Sequence, residues 1–304
     1  MVRVHSDIGA QNSSCNKLSF NYIRSMPHTP PVVLTIAGFD PSSGAGATAD
    51  IKTIAAHGCF GVAALTALTV QSTSGVKRSE PSDVGLLRET LEELNNDCKI
   101  AAVHIGMLGR TSIVNSVADF LESSRLPCIV LDTIIEASSG MRLLDETGVL
   151  AMAERLLPLA SVITPNAQEA SVLTGSRVDS VDEMKSAARQ LQEKGAKTVV
   201  VTGGHLSPTV DVLLSANGDL QTFKSEKLDA DYTHGTGCAF STSIACHLAQ
   251  GRPLAEAVLL AKSFLTAAIA NGYPVGKGVN PVNHMYRMRN HPGGFAKRMT
   301  SGKD

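Results

Sequence analysis

The sequence has no tryptophan, and aromatic residues make up only 4% of its 304 residues. Few rings are therefore present for the stacking platforms on which single-stranded nucleic acids bind. The chain also has no charge excess, because 27 basic residues stand against 28 acidic ones. Nucleic-acid-binding proteins usually carry a basic surplus, so the composition argues against that class.

Cysteine spacing and hydrophobic runs exclude further classes. None of the six cysteines forms a C-x-x-C pair, which disfavours a zinc site. No stretch approaches the ~18 apolar residues of a membrane span, and the N-terminus has no apolar region typical of a secretory signal. We therefore expect a cytoplasmic protein with reduced thiols and no membrane or nucleic-acid partner.

Short apolar, β-branched runs alternate with helical patterns along most of the chain. The runs cover 31–37, 62–68, 101–105, 128–132, 161–164 and 198–202, and the helical patterns cover 49–57, 86–98, 113–123, 148–156, 181–194, 238–249 and 254–270. This alternation predicts an α/β fold, a mostly parallel central sheet covered by helices on both faces. Asn217-Gly218 between two further runs predicts a type I′ hairpin and an antiparallel edge.

The composition shows no break between residues 31 and 290, which predicts a single domain there. Residues 1–30 are polar and mixed, and we expect a disordered N-terminal extension. Residues 291–304 are small and polar, and we expect a flexible C-terminal tail.

Glycine-rich turns follow the first strand and precede a late helix. Ligands of parallel sheets bind at the carboxyl ends of the strands. The turn Gly38–Gly46 is one candidate, although such a turn is as often structural. In the second, Gly235-Thr-Gly237 would present backbone N–H groups and a positive helix end to an anion. Cys238 follows in the first helical turn, where we expect a lowered thiol pKa; a buried structural cysteine is the equal alternative.

Polar side chains follow four other strands. Asn166 and Glu169 are three residues apart and could bind Mg²⁺ with oxygen ligands, but the same spacing is typical of a helix-capping box. Asp132 is a candidate metal ligand or a helix cap. The amide of Gln71 suits the edge of a heterocycle, or it belongs to an ordinary loop. His205 and His234 flank glycines and could approach a ligand.

Taken together and in order, these segments resemble the hydroxymethylpyrimidine/phosphomethylpyrimidine kinases of the ribokinase-like superfamily. The resemblance runs from Val32 to His284. It rests on Ile36–Gly46 with Ala49–Thr53, Thr66–Gln71, His104–Leu108, Leu131-Asp132 with Ser139-Gly140, Ile163–Asn166 with Glu169-Ala170, Gly203–His205, Thr233–Cys238 and Gly276–Gly278. It implies a three-layer αβα sandwich and ATP- and Mg²⁺-dependent phosphorylation of 4-amino-5-hydroxymethyl-2-methylpyrimidine, first to the monophosphate and then to the pyrophosphate. It also implies a homodimer.

The resemblance implies a role for each candidate residue. The pyrimidine would bind Gln71, with Gly38, Thr69 and Met107 shaping its pocket and Asp50 beside the hydroxymethyl group. The nucleotide and its metal would bind Asn166, Glu169, Thr202 and Gly204, with Asp132 and Glu169 as metal ligands. Gly235, Thr236 and Gly237 would form the anion hole, and Cys238 would be the general base where related sugar kinases carry an aspartate.

Three positions depart from the family pattern. Thr202 stands where a lysine often meets the ATP phosphates, Thr48 replaces a glutamine, and Met141 replaces an aspartate. Lys52 and Lys277 are the lysines that the sequence offers in compensation. Two other functions stay open: pyridoxal kinase of the same superfamily, and a kinase fold that senses the pyrimidine without turnover.

Overall fold

The chain builds one nine-stranded sheet. The structure, a computed structural model, describes residues 29–137, 139–204, 209–225 and 232–289. Residues 1–28 of the expected extension 1–30, the expected tail 291–304 and His205 lie outside them. The strands are β1 Val32–Phe39, β2 Phe60–Ser72, β3 Gly75–Pro81, β4 Ile100–Ile105, β5 Ile129–Leu131, β6 Val162–Ile163, β7 Val199–Val201, β8 Thr209–Leu214 and β9 Leu220–Ser225. Their order is β3-β2-β1-β4-β5-β6-β7-β8-β9.

The centre of the sheet is parallel and both edges are antiparallel. Strands β2, β1, β4, β5, β6 and β7 pair in parallel. Strand β3 pairs antiparallel with β2, and β8 and β9 extend the other edge in the same way. The carboxyl ends of the six parallel strands therefore share one edge, where their following loops meet.

Helices cover both faces of the sheet. The helices are α1 Gly46–Ala56, α2 Val84–Asp97, α3 Thr111–Ser124, α4 Glu146–Ala151 with a π-helical turn Met152–Leu156, α5 Ala167–Thr174, α6 Val181–Glu193, α7 Thr236–Ala249, α8 Leu254–Ala270 and α9 Tyr286–Arg289. Apolar residues of α1, α7 and α8 form one core cluster with the sheet, and those of α2 to α6 form another. Among the described residues, none of these helices is both long and apolar enough to cross a bilayer.

Alternate residues of the central strands enter opposite cores. Val33 packs in the α1/α7/α8 core, whereas Leu34 and Ile36 pack in the other. Val200 likewise packs in the α1/α7/α8 core, whereas its neighbours Val199 and Val201 pack in the other. Both faces of each strand are buried, which explains the continuous apolar runs. The predicted three-layer αβα sandwich is thus confirmed.

Two edge features differ from the sequence expectations. Strand β3 has the sequence GVKRSEP. Its charged residues are exposed, so the pattern of apolar residues did not predict this strand. The turn after β8 is closed by the Gly218 N–H, which donates to the Ser215 carbonyl at 2.9 Å. Gly218 has φ +87°, but Asn217 is not in the positive-φ region. The type I′ prediction was therefore wrong, because that turn needs both central residues there.

Candidate active site

A cavity of about 720 Å³ opens at the carboxyl edge of the parallel strands. It collects nearly all the candidate residues, and those it collects come from seven separate stretches of the chain. Those that line it are Gly38, Thr69, Gln71, Met107, Asp132, Asn166, Glu169, Thr202, Gly204, Gly235, Thr236, Gly237 and Cys238. Asp50, the candidate assigned to the hydroxymethyl group, does not line it.

One end of the cavity is an amide-bearing pocket between β1, β2 and β4. A side chain at residue 38 would displace the Met107 side chain, since a Cβ on Gly38 would lie 2.9 Å from its sulfur. The Thr69 hydroxyl lies 3.2 Å from Gln71 Oε1 and donates to the Phe39 carbonyl at 2.9 Å. The apolar wall and the oriented amide suit a flat heterocycle with polar edges.

His234 and Asp40 also line the cavity and contact each other beside this pocket. His234 Nε2 lies 2.9 Å from Asp40 Oδ2 and 3.4 Å from Gln71 Nε2. Burial alone would raise the pKa of Asp40, but hydrogen bonds from His234, Ser42 and Ala45 lower it below its ordinary value. Sequence reasoning missed Asp40, although it stands inside the first glycine-rich turn. Its hydrogen bonds to backbone N–H groups hold that turn in shape.

The second glycine turn packs directly on the first. Gly235 has φ +81°, and a Cβ there would lie 1.8 Å from the carbonyl oxygen of Gly44. Helix α7 begins at the next residue and has no side-chain cap. Gly235, Thr236 and Gly237 line the cavity at the positive end of the helix dipole, an arrangement that suits an anion.

Cys238 lies in the first turn of α7 but does not have the lowered pKa that its position predicts. Burial, together with the charges of Asp50 and Asp132, raises the pKa of this thiol well above its ordinary value. The helix terminus contributes only about half an elementary charge, which does not offset lost hydration and two nearby carboxylates. In the ligand-free structure Cys238 is a neutral thiol.

Asp132 and Glu169 form a buried carboxylate pair at the centre of the cavity. Burial raises the pKa of Asp132 to about 6, against the opposing effect of His104. Burial and the charge of Asp132 raise the pKa of Glu169 to about 8. Neither carboxyl group therefore has enough positive charge nearby to keep its pKa at the ordinary value.

Glu169 also completes the capping box that the sequence left as the alternative. The Asn166 side chain accepts the Glu169 N–H at 2.9 Å, and the Glu169 carboxylate accepts the Asn166 N–H at 3.0 Å. Capping and cavity lining are therefore compatible, because the box fixes the carboxylate at the cavity wall.

The carboxylate pair fits a magnesium ion. The described residues contain no group of three or more His, Cys, Asp or Glu side chains arranged to hold a metal by themselves. Mg²⁺ commonly uses one or two carboxylates and takes its remaining oxygens from water and substrate phosphates. Two carboxylates that lack an ion-pair partner, next to a turn that suits an anion, match that pattern.

Asp50 lies beneath the cavity floor rather than beside a substrate. Its side chain is fully buried and accepts hydrogen bonds from Thr35 at 2.7 Å and Thr242 at 2.9 Å. His104 Nδ1 lies 3.3 Å from the same carboxylate. The expected contact with a hydroxymethyl group does not follow from this position, because α1 directs Asp50 into the core.

Lys262 supplies the cavity with a cation that sequence reasoning missed. It is buried in α8, pairs with Asp211 and lines the cavity, as does Thr202. Lys52 instead donates to the Ser43 carbonyl, and Lys277 is exposed; neither lines this cavity. The available signal was a lysine in an otherwise apolar helix, since a buried charge needs a partner.

Comparisons with known proteins place the chain among vitamin kinases. Residues 40–283 match the family model described as phosphomethylpyrimidine kinase. A hydroxymethylpyrimidine/phosphomethylpyrimidine kinase from Haemophilus influenzae is 43% identical over 83% of this chain and 96% of its own length.

Solved structures agree in fold. A phosphomethylpyrimidine kinase from Clostridium difficile is 35% identical with a TM-score of 0.71, covering 79% of this chain and 99% of its own. An ADP complex of a Bacillus subtilis pyridoxal kinase is 34% identical with a TM-score of 0.77, covering 84% of this chain and 97% of its own.

The packing of the two turns predicts an unequal response to alanine at two glycines. Gly218→Ala meets open space and should cost about 1–2 kcal/mol of unfolding free energy for its positive φ. Gly235→Ala adds the clash with the Gly44 carbonyl and should cost a further ~1–3 kcal/mol. Urea unfolding of both variants measures the difference. Equal losses would contradict the direct turn-to-turn contact.

The raised pKa of Glu169 predicts a pH-dependent stability. Between its ordinary value near 4.5 and about 8, the folded state binds more protons than the unfolded state. The free energy of unfolding of the metal-free protein should therefore fall as pH rises through this window. Glu169→Gln, which keeps the capping hydrogen bonds, should flatten that fall in urea titrations at pH 5 to 8.

The matched control is Glu183→Gln, which changes the equivalent first-turn glutamate of α6. That residue is half-buried, and hydrogen bonds lower its pKa. Glu183→Gln should leave the decline in the free energy of unfolding between pH 5 and 8 unchanged. A Glu169→Gln variant that declines as steeply as the unmodified protein would refute the shifted pKa.

Proposed function

This chain belongs to the phosphomethylpyrimidine kinase family, and we propose that it phosphorylates 4-amino-5-hydroxymethyl-2-methylpyrimidine and then its monophosphate with ATP. The product is the pyrophosphate used in thiamine diphosphate biosynthesis. The observation that carries the proposal is the single cavity that joins a heterocycle pocket, a carboxylate pair and an anion-binding turn. These are the parts that phosphoryl transfer to a small aromatic alcohol requires.

The pyrimidine binds at the Gln71 end of the cavity. The Gln71 amide can both donate to and accept from the aminopyrimidine edge, since it offers two N–H groups and a carbonyl. Met107 and the bare Gly38 backbone bound the flat face of the ring. The hydroxymethyl group then points toward the start of α7, where Cys238 lies.

The phosphates bind between the start of α7 and the carboxylate pair. N–H groups of Gly235, Thr236 and Gly237 receive the charge that develops on the transferred phosphoryl group. Asp132 and Glu169 would hold Mg²⁺, which would neutralise phosphate charge when bound. Asn166, Thr202 and Gly204 line the nucleotide side, and Lys262 is the cation we assign there in place of the family's lysine at 202.

Cys238 is the proton acceptor that we propose for the first transfer. Burial and the neighbouring carboxylates raise its pKa, so it would accept the proton only where positive charge offsets those carboxylates. The second transfer attacks through an already ionised phosphate and needs no base. Positioning and charge stabilisation carry the remainder of both steps.

The assembly and location follow the resemblance to relatives. We propose a homodimer in the cytoplasm, with residues 31–290 acting as one kinase domain. Free thiols at all five described cysteines are compatible with a reducing compartment.

Pyridoxal phosphorylation is the second candidate, favoured by one observation. The Bacillus subtilis pyridoxal kinase is 34% identical to this chain against 35% for the Clostridium difficile relative, and its TM-score of 0.77 is higher than the 0.71 of that relative. Both substrates are aromatic heterocycles with a hydroxymethyl group, so one pocket can accept either.

Turnover of the two alcohols tests the proposal. The protein is incubated with ATP, Mg²⁺ and either alcohol, and phosphorylated products are followed by mass spectrometry. We expect mono- and pyrophosphate from the pyrimidine at a higher kcat/KM than any pyridoxal phosphate. Preference for pyridoxal would favour the second candidate, and pyrimidine binding without product would favour a sensor.

The proposed proton acceptor predicts that Cys238→Ser affects the two steps unequally. Loss of general-base catalysis should lower kcat of the first transfer about 100-fold or more, while the second should be nearly unchanged. Rates are measured separately with the alcohol and with the monophosphate. Cys246→Ser, a buried substitution on the same helix outside the cavity, is the control and should spare both. Equal losses in both steps would refute the base role of Cys238.

A further inference from the structure

A line of buried polar groups runs beneath the cavity from α1 to Asp132. His104, next to the carboxyl end of β4, is fully buried. Its Nδ1 faces the Asp50 carboxylate and the Thr35 hydroxyl, each at 3.3 Å, and its Nε2 lies 2.9 Å from the Ser241 hydroxyl. Ser241 Oγ lies 3.2 Å from Asp132 Oδ2. The line ends at a carboxylate that the proposed function places on Mg²⁺.

The partners of Nδ1 require a proton on that nitrogen. The Thr35 hydroxyl donates its one hydrogen to Asp50 Oδ2 at 2.7 Å. Its oxygen can then only accept from His104, and the Asp50 carboxylate is itself an acceptor. A bare Nδ1 would face two acceptors in a site without water contact.

The partners of Nε2 favour a second proton. Besides His104, the Ser241 oxygen is surrounded by three acceptors: Asp132 Oδ2, the Gly237 carbonyl at 3.0 Å and the Cys238 carbonyl at 3.2 Å. A proton on Nε2 leaves the serine hydrogen free for the buried Asp132 carboxylate, whereas a bare Nε2 would take that hydrogen and leave Asp132 Oδ2 without it. The geometry is therefore best satisfied when His104 carries hydrogens on both nitrogens.

We propose that His104 is a positioning residue, a permanent imidazolium that donates to Ser241 and so directs the serine hydroxyl to Asp132. It thereby sets the Asp132 carboxylate against the first turn of α7. A Cβ on Gly237 would lie 3.7 Å from Asp132 Oδ2, so carboxylate and anion turn are in contact range. A small rotation of Asp132 would displace a metal relative to the bound phosphates.

Electrostatics support the charged form. Burial alone would lower the pKa of His104, but the Asp50 carboxylate, helped by Asp132, raises it above its ordinary value. The titratable groups that face the ring are Asp50 on α1 and, across Ser241, Asp132 after β5. Both are anionic when ionised.

His57 provides an internal contrast. It is also buried against a serine of α7, with Nε2 2.8 Å from Ser243 Oγ, and its Nδ1 lies 2.8 Å from the Thr53 carbonyl. Here one nitrogen can donate to the carbonyl and the other accept from the serine, so a neutral ring satisfies both. Burial lowers the pKa of His57 to about 4.

The charge state is tested in the unmodified protein. Histidine ring nitrogens are ¹⁵N-labelled, and two-bond ¹H–¹⁵N spectra are recorded at pH 8 on the ligand-free chain. We expect both His104 nitrogens to have the shifts of a protonated ring and His57 to show one protonated and one bare nitrogen. A neutral pattern for His104 at pH 8 overturns the proposal.

Variants test the positioning role, which rests on the proposed function for its kinetic readout. His104→Gln and Ser241→Ala should each lower kcat about 10- to 100-fold, as loss of a partner behind a metal ligand does, and weaken Mg²⁺ binding measured by calorimetry with ADP. KM for the pyrimidine should stay nearly constant. His104→Lys, a donor-only cation, should restore part of kcat, and His57→Gln, at equal or greater loss of melting temperature, should leave kcat unchanged.

The outcomes separate the two proposals. Equal kcat in His104→Gln and His57→Gln would reduce His104 to a core residue and overturn the inference. Absence of any pyrimidine kinase activity in the unmodified protein would overturn the proposed function, yet the nitrogen shifts and the loss of Mg²⁺–ADP binding in His104→Gln would still decide whether His104 positions Asp132.

Discussion

Five buried carboxylates at one edge of the sheet set the constraint on which the rest of the site depends. Each is at most 7% exposed, so each needs positive charge, hydrogen bonds or a proton to remain inside the protein. Three of them have a fixed nitrogen partner: Asp40 has His234, Asp50 has His104 and Asp211 has Lys262. Within the described residues, Asp132 and Glu169 have no ion-pair partner, and these two have pKa values raised to about 6 and 8.

The division between satisfied and unsatisfied carboxylates explains where chemistry is possible. The three paired carboxylates stabilise the fold. Asp40 accepts the Ala45 N–H within a glycine turn, Asp50 links α1 to α7 through Thr242, and Asp211 accepts the Gly203 N–H. Asp132 and Glu169 are the pair at which binding of a divalent cation would be most favourable, because the cation would relieve the repulsion between the two carboxylates as well as form new contacts. The same lack of positive charge keeps the Cys238 thiol protonated. In the proposed mechanism, proton transfer to Cys238 and metal binding are therefore linked through one local charge balance.

Much of this arrangement could be predicted from the sequence, for identifiable reasons. Strand and helix alternation is readable because both faces of each central strand are buried, as Val33 beside Leu34 shows. Parallel strands then place Gln71, Asp132 and Asn166 at one edge without further information. The exceptions had signals that were weak or conflicting. Strand β3 is charged, Lys262 is the single basic residue of a mostly apolar helix, and Asp50 lies one helical turn from the glycine loop yet points inward.

The sequence by itself determined the layer order, the edge at which ligands bind and the family, because these depend on periodicity and on short motifs that are local in the chain. Only the tertiary structure decided which charges are paired and which protons are held. Those outcomes depend on burial and on partners far apart in sequence: His104 meets Ser241 across 137 positions, and Asp40 meets His234 across 194. A helix start alone predicts a reactive Cys238, whereas the assembled carboxylates and lost hydration reverse that prediction. The physical reason is that electrostatic energies in a protein are set by the whole local environment, which no segment contains.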